Sequence, residues 1–543
     1  MQEEILDVLR NPFIVFSLSF LLTVCVVSGS HQLGDAVDLE FQAYRLQQYE
    51  ISGNMYGSYN YRLQYEAVSL NSKALRRCFV ATWREVARRD LDELLSLSSG
   101  ALLIFIPSDL DVLTEADRKL FIDLETRLRR TKTDLAVYVA PTSSEGPAVL
   151  ADIEATSSVE STATQQLVRS VAANTIQFTS SDTQTGDAIT YKPNNIVGRL
   201  NSGERSAPTI AFVAHYDSHA VFPGIANGSD SNGSGIVALL ELLAVFSKFY
   251  EKPSTRPPYN LVFIWTAAGK YNYQGARQWI EDYQKGTEDE KLEIALCIEG
   301  IGSNGDLKMH TSKQPSENSV AARILRRLRS VSPNKTVDLV TKKISLTAVN
   351  SWEHEKFNIK RLPAVTISSF GSPTDSLRNS VLDGPSNINL DDLMANIRTI
   401  AEAVLGHMLS LPEGGVSGDV RVTSETTMLS RDAVDRQRVH HFVRQFASKP
   451  RPVGDKVATE SASANIAVAA SSYAQVSVSQ VTFSDVKVYG GVANKVVAER
   501  VKPAVFELVI AAGVSAYLYA FYFTATHAQR FVEGAVHKIK KSL

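Results

Sequence analysis

Three short polar stretches each follow an apolar run. "AHYDS" carries His215 and Asp217, "GSDSNGSG" carries Asp230, and "WEHEKF" carries His354. A fourth, "CIEGIG", adds Glu299. A His, Asp, Glu and His set delivered from separate strand ends is the chemistry of a two-zinc hydrolase. There, imidazole and carboxylate groups hold each ion and one carboxylate bridges both. Each piece also has an ordinary reading. A His-x-Asp on a strand is usually packing, and His354 among charged neighbours reads as a solvated histidine. Asp230 and the glycines behind it read as a helix-start loop with a capping side chain. In this order the four are far more specific than any one alone.

The elements that must position these residues can be read around them. From Asn194 to about Leu411, the apolar runs "TIAFVAHYD", "YNLVFIWTAA", "IALCIEGIG" and "PAVTISSF" predict buried strands. "GIVALLELLAVFSKFY" predicts a helix, with Ile236, Leu239, Leu240 and Leu243 on one face. Strands of near-continuous apolar character between helices predict an α/β domain with a mostly parallel sheet covered on both faces. Ligands of such sheets bind beyond the carboxyl ends of the strands, where the polar residues fall here. Residues 43–190 read as a mixed α/β part. "RRCFVATWREVARRDLDELL" has helical spacing, "YRLQYEAVSL", "ALLIFIP" and "DLAVYVAP" read as strands, and 141–185 contains a long Ser- and Thr-rich loop. The domain proper is set at 191–411. Residues 412–503 form a membrane-proximal region in which "QVSVSQVTFSDVKVYGG" alternates like a strand and "RQFASKPRPVGDKVATESASAN" reads as a loop. No internal repeat is visible.

The 543 residues exceed one ordinary core. Hydrophobic residues make up 44% and charged residues 21%, a globular composition. The net charge of -2, without a basic block or face, argues against a nucleic-acid partner. Cys25, Cys78 and Cys297 make neither a disulfide framework nor a zinc ribbon. Cys78 and Cys297 read as two buried thiols or as a single bridge. Residues 1–30, with "FIVFSLSFLLTVCVV" before "SGS", fit a secretory signal; an acidic start leaves an uncleaved anchor as the alternative. Residues 504–526, "AVFELVIAAGVSAYLYAFYFTAT", are long enough to cross a bilayer, with Tyr and Phe crowded at one end and Glu507 near the start. Glu507 either reaches the interface or meets a partner helix. With the leader setting orientation, residues 30–500 are lumenal and 527–543 form a cytosolic tail.

The ordered set resembles the catalytic domain of the M28 family of zinc aminopeptidases. Within it, "GSDSNGSG", "GKYNYQGARQWIED", "WEHEKFNIKRLPA" and "RVKPAVFELVIAAGVSAYLYA" resemble a nicastrin-like group of type I membrane proteins of the endoplasmic reticulum. The resemblance spans most of the lumenal part and the C-terminal helix, and is weakest over 140–190 and 412–485. It implies that His215 and His354 stand where the family has metal histidines. Asp217 would orient the His215 imidazole, Asp230 would be the bridging carboxylate, and Glu299 would replace a metal aspartate.

The departures are Gly269 and Lys270, where the family has a general-base glutamate and a metal-ligating glutamate. Glycine cannot take the proton from a metal-bound water, a contribution of about 10² to 10⁴-fold. A lysine ammonium repels a divalent cation 4 Å away by ~4 kcal/mol per pair of unit charges at an effective dielectric of 20. Lys270 paired with Asp230 or Glu299 would stand in for the ion. The resemblance therefore implies a pseudo-aminopeptidase, with no catalytic residue, no metal and no cofactor. On this reading, restoring Gly269→Glu with Lys270→Glu creates zinc affinity.

The implied role is a scaffold subunit at the translocon that aids multipass membrane protein insertion, with effects on receptor assembly and Nodal signalling. The implied partners are a nodal modulator-like lumenal protein, a multi-helix membrane subunit and the Sec translocon. Two alternatives remain open here. One is an active membrane-bound zinc aminopeptidase using Glu281 or Glu299 as base. The other is a receptor for free amino termini using Asp217, Asp230 and Glu299. Asn232, Asn227 and Asn334 begin N-glycosylation sequons, and a glycan on Asn232 would block the cleft.

Overall fold

The computed structural model describes residues 39–71, 76–97, 99–142, 146–157, 175–180, 187–286, 291–332, 335–345, 349–411, 428–430, 432–501, 508, 510–523 and 527. Residues 1–30, read as a signal sequence, Cys25, Asn334, Glu507 and residues 528–543 lie outside the described residues.

An eight-stranded sheet forms the centre of the larger lobe. Its order is Val337–Thr341, Leu307–Thr311, Ala364–Ser368, Lys291–Ile298, Pro208–His215, Asn260–Thr266, Asn194–Leu200 and Gln475–Gln480. The four middle strands, from Ala364–Ser368 to Asn260–Thr266, run parallel. Their apolar runs are buried on both faces, as a helix-covered parallel sheet requires. The helix Ser234–Tyr250 has 14 buried residues, including Ile236, Leu239, Leu240 and Leu243. With the preceding turn it is apolar and long enough to cross a membrane, yet that window is 83% buried, so it is the core helix of this lobe.

The second lobe is a closed barrel of seven strands. In order they are Leu39–Arg45, Ala493–Val501, Thr175–Ser180, Gln64–Ser69, Cys78–Thr82, Ala101–Ile106 and Ala136–Pro141, and the last pairs back onto the first. A four-stranded sheet, Val486–Val488, Tyr49–Ile51, Asn54–Ser58 and Lys132–Thr133, lies alongside. The lobes share a core in which Phe79, Ile104 and Phe121 of one pack with Val221, Phe222, Val381 and Leu382 of the other. Cys78 and Cys297 are buried free thiols. Each lies in a different core, Cys78 in the barrel and Cys297 against the central sheet.

The described residues of 412–503 are distributed over both lobes rather than gathered in one place. Arg436–Phe446 and Lys456–Ser471 are helices of the larger lobe, Gln475–Gln480 is its edge strand, and Ala493–Val501 is a barrel strand. Two local readings change. The segment read as a loop after Arg444 contains only a short loop with Pro452 and Gly454; its Ala-rich remainder is the helix Lys456–Ser471, capped by Asp455. Alanine's helix preference outweighs the serines there. The segment read as one helix from Arg76 begins as the strand Cys78–Thr82. Thr82 and Glu85 then form a capping box that starts the helix Trp83–Arg88. Near the C-terminus, Ile510–Phe523 is an apolar helix that exposes Leu518, Tyr519, Tyr522 and Phe523.

Candidate functional site

The turn after Asn260–Thr266 holds Gly269 and Lys270. It contains three non-glycine residues with left-handed backbone, Ala268 (φ 53), Asn272 (φ 63) and Tyr273 (φ 54). Such strain persists only where the surroundings fix it. Here the Gly269 and Lys270 amides donate to the two carboxylate oxygens of Asp217, at 2.6 and 3.1 Å. Asp217 therefore organises the turn. The acid beside His215 is instead Glu353, whose Oε2 lies 3.4 Å from His215 Nδ1. Glu353 Oε1 accepts from Thr266 Oγ1 at 2.6 Å.

Glu299, at the end of its strand, sits between two cations. Lys270 Nζ donates to Oε1 at 3.2 Å. Arg378 grips the carboxylate with two prongs, Nε to Oε1 at 2.5 Å and Nη2 to Oε2 at 2.9 Å. Arg378 also donates to the Tyr273 hydroxyl at 2.7 Å and lies over the Trp352 ring at 4.3 Å. All three charged side chains are buried. Burial opposes the charge on Glu299, but Arg378 and Lys270 hold its carboxyl well below the usual carboxylate range. Burial, countered by Glu299, lowers the Lys270 ammonium. A carboxylate held this way is a poor proton acceptor near neutrality.

Asp230 lies in the π-helical turn Ser229–Gly233 that leads into the core helix. Its oxygens accept from the Gly302 and Ser303 amides at 2.6 and 3.2 Å. Its own amide and that of Ser231 donate to Asp383, both at 2.9 Å. Burial, with Asp383 nearby, raises the Asp230 carboxyl to about 6. The loop carrying Arg378 and Asp383 is held from the other lobe. Buried Glu125 accepts from the Val381 amide at 2.9 Å and from the Ser380 hydroxyl. Arg451 clamps the opposite side, donating to the carbonyls of Tyr216 at 2.8 Å and Asn227 at 3.1 Å.

The strand ends thus bring Asp217, the 269–270 turn and Glu299 together, with His215 beside Glu353. Asp230 faces the Gly302 and Ser303 amides. His354 is buried rather than solvated, and turns to Thr366 at 2.8 Å, a site where burial lowers it to about 3. Sequence reasoning missed Glu353, Arg378 and Asp383. Glu281, the alternative base, pairs with Arg277 at 2.7 Å on the helix Gln274–Lys285.

The carboxylates of this set are not free for a zinc ion, although His215 Nε2 and His354 Nε2 are buried without a partner. Both Glu299 oxygens are taken by cations, both Asp230 oxygens by backbone amides, and the Lys270 ammonium lies between Glu299 Oε1 and the Arg378 carbonyl, 3.2 Å from each. Among the described residues, no three His, Cys, Asp or Glu side chains are grouped to hold a metal. The Asn232 sequon is also closed. Its side chain is buried and its nitrogen, the atom a glycan would occupy, donates to the Asp217 carbonyl at 2.7 Å. Asn227 is half-buried and lines a 250 Å³ pocket between the lobes.

Residues 195–404 match the model of Peptidase family M28. The chain is 58% identical to a Caenorhabditis elegans protein named Nicalin over the full length of both. It is 32% identical to the Homo sapiens protein named BOS complex subunit NCLN, over 97% of each. In fold it is similar to the crystal structure of the gamma-secretase component Nicastrin, with a TM-score of 0.55 and 10% identity. That match covers 85% of this chain and 99% of that one.

Proposed function

The chain belongs to the nicalin family, the proteins named BOS complex subunit NCLN in vertebrates, and from that premise we propose that it is a non-catalytic subunit of a membrane complex, with its M28-like lobe as scaffold. The observation that carries this is the Lys270 and Arg378 pair on Glu299. Two buried cations stand on the carboxylate that a metal would need. We read Gly269 and Lys270 as the family's lost base and lost ligand. The ion triad takes over the task of tying strand ends together. The names of the relatives support membership in a multi-subunit assembly.

The finer reading extends this. Residues 504–526 cross the endoplasmic reticulum membrane once, the two lobes are lumenal, and the short C-terminus is cytosolic. The apolar, exposed side chains of Ile510–Phe523 suit lipid contact. The complex acts at the translocon in the insertion and assembly of multipass proteins, receptors included, through which it touches Nodal signalling. Its other members are a nodal modulator-like lumenal protein and a multi-helix membrane subunit. A receptor for free amino termini is less favoured, because Asp217, Asp230 and Glu299 spend their oxygens inside the protein.

Elemental mass spectrometry of the purified, glycosylated full-length chain tests the reading. The expected result is near-zero zinc and no release of amino-terminal residues from peptides. One or two zinc ions per chain that survive dialysis would overturn it.

A further inference from the structure

The central sheet has two outer edges, finished differently. The Val337–Thr341 edge carries Asp338 and runs straight into Lys342 and Lys343. Charges on an edge are a usual defence against strand addition by another chain. The Gln475–Gln480 edge, QVSVSQ, has no charge, no proline and no glycine. Its inner side pairs with Asn194–Leu200, and no strand of the described residues covers its outer side. The neutral character reaches further, since no charged residue occurs from Ser461 to Ser484 in a chain that is 21% charged. That run includes most of the helix Lys456–Ser471 beside the strand. Val468 on the helix is 70% exposed and Val478 in mid-strand is 55% exposed. Exposed apolar groups in a segment without charge have the composition of an interface centre.

The register shows which backbone groups are free. The Val481 amide donates to the Pro193 carbonyl at 2.8 Å. Hydrogen-bonded pairs alternate along an antiparallel ladder, so Ser479, Ser477 and Gln475 face inward. Val476, Val478 and Gln480 present their N–H and C=O groups outward.

We propose that Gln475–Gln480 is the docking edge for an extended, uncharged strand of a partner subunit, added to the sheet through the backbone groups of Val476, Val478 and Gln480. This rests on the reading of the chain as a complex subunit. A row of outward amides and carbonyls is satisfied by a strand and not by a helix, whose own groups are already paired. The absence of charge on the edge excludes an acidic or basic strand as the favoured occupant.

Val478→Pro tests it, because it removes one outward N–H and leaves the inner ladder complete. Val478→Thr is the conservative control, and thermal unfolding reports the fold. Tagged full-length chains are purified from native membranes in mild detergent. Co-purifying subunits are quantified, and amide exchange is followed in the complex and in the isolated chain. Val478→Pro is expected to lower partner recovery about tenfold or more with an unchanged thermal midpoint, while Val478→Thr keeps the partner. Amides 476, 478 and 480 exchange quickly in the isolated chain and slowly in the complex. Wild-type recovery with Val478→Pro, or fast exchange at 478 within the complex, overturns the docking edge alone. So does protection in the dilute isolated chain, which means that its own residues cover the edge, or protection that grows with concentration, which means a second copy. A wild-type chain that recovers no subunit overturns the complex reading, and the edge with it.

Discussion

Gly269 lies so close to the His215 imidazole that a Cβ at position 269 would meet His215 Cβ and Cγ well inside 3.0 Å. The missing side chain is therefore a packing requirement of the present His215 position. Gly269→Ala is expected to cost about 1–3 kcal/mol by overpacking, read as a lower thermal midpoint. The double reversion, Gly269→Glu with Lys270→Glu, is expected to give a destabilised protein without zinc uptake. This revises the expectation drawn from sequence. An unchanged midpoint for Gly269→Ala would show that His215 steps aside freely, and would reopen the route to a metal.

The buried triad makes a second prediction. Glu299→Gln leaves the Lys270 and Arg378 charges buried without a counter-charge. Removing one partner of such a pair costs about 3–5 kcal/mol. Arg378→Lys keeps the charge but loses the two-pronged hold and the stacking on Trp352, so an intermediate loss is expected. Denaturant unfolding orders the variants. Glu299→Gln equal to wild type would show that the triad contributes nothing.

The contact between the lobes should respond to pH. Burial raises Glu125 from 4.5 to about 7, against the opposing effects of Ser380, Val381 and Arg129. A carboxyl whose folded value lies above its unfolded value favours the folded state at low pH. That stability is lost as pH rises from about 4.5 through about 7. In Glu125→Gln this part of the pH dependence should vanish, while the acceptor for the Val381 amide remains. Identical pH profiles for the variant and the wild type would count against the assignment.

The glycan prediction is equally direct. Asn232→Gln is expected to leave the glycosidase-sensitive mass unchanged, because that side chain is spent on Asp217. A loss of mass would mean that the loop accepts a glycan before it closes.

The parts of this structure that could be read in the sequence are those with a local cause. The parallel strands announced themselves as apolar runs, Asp217 and Glu299 followed from their positions at strand ends, and Lys270 stood out only through the family resemblance. Arg378 comes from the irregular loop "GSPTDSLRNS", which has no period and no motif, and it reaches Glu299 only through tertiary packing. Glu353 was hidden by a one-residue ambiguity. The helix His354–Ile359 has 6 residues, too few for a periodic pattern to say which neighbour faces His215. The barrel was hidden for a third reason, since pairing between distant segments leaves no local mark.

That pairing also sets an order of events. Ala493–Val501 lies between Leu39–Arg45 and Thr175–Ser180, so Leu39 finds its partner only in Ala498. The first strand of the barrel must wait, with an open edge, for almost the whole polypeptide to be synthesised. Contacts this distant in sequence fold late, and unpaired edges are exposed meanwhile. The closing strand ends at Val501, just ahead of the apolar C-terminal segment. Completion of the barrel is thereby timed to the arrival of Ala493–Val501, and a chain cut short before Ala493 keeps its barrel unsealed.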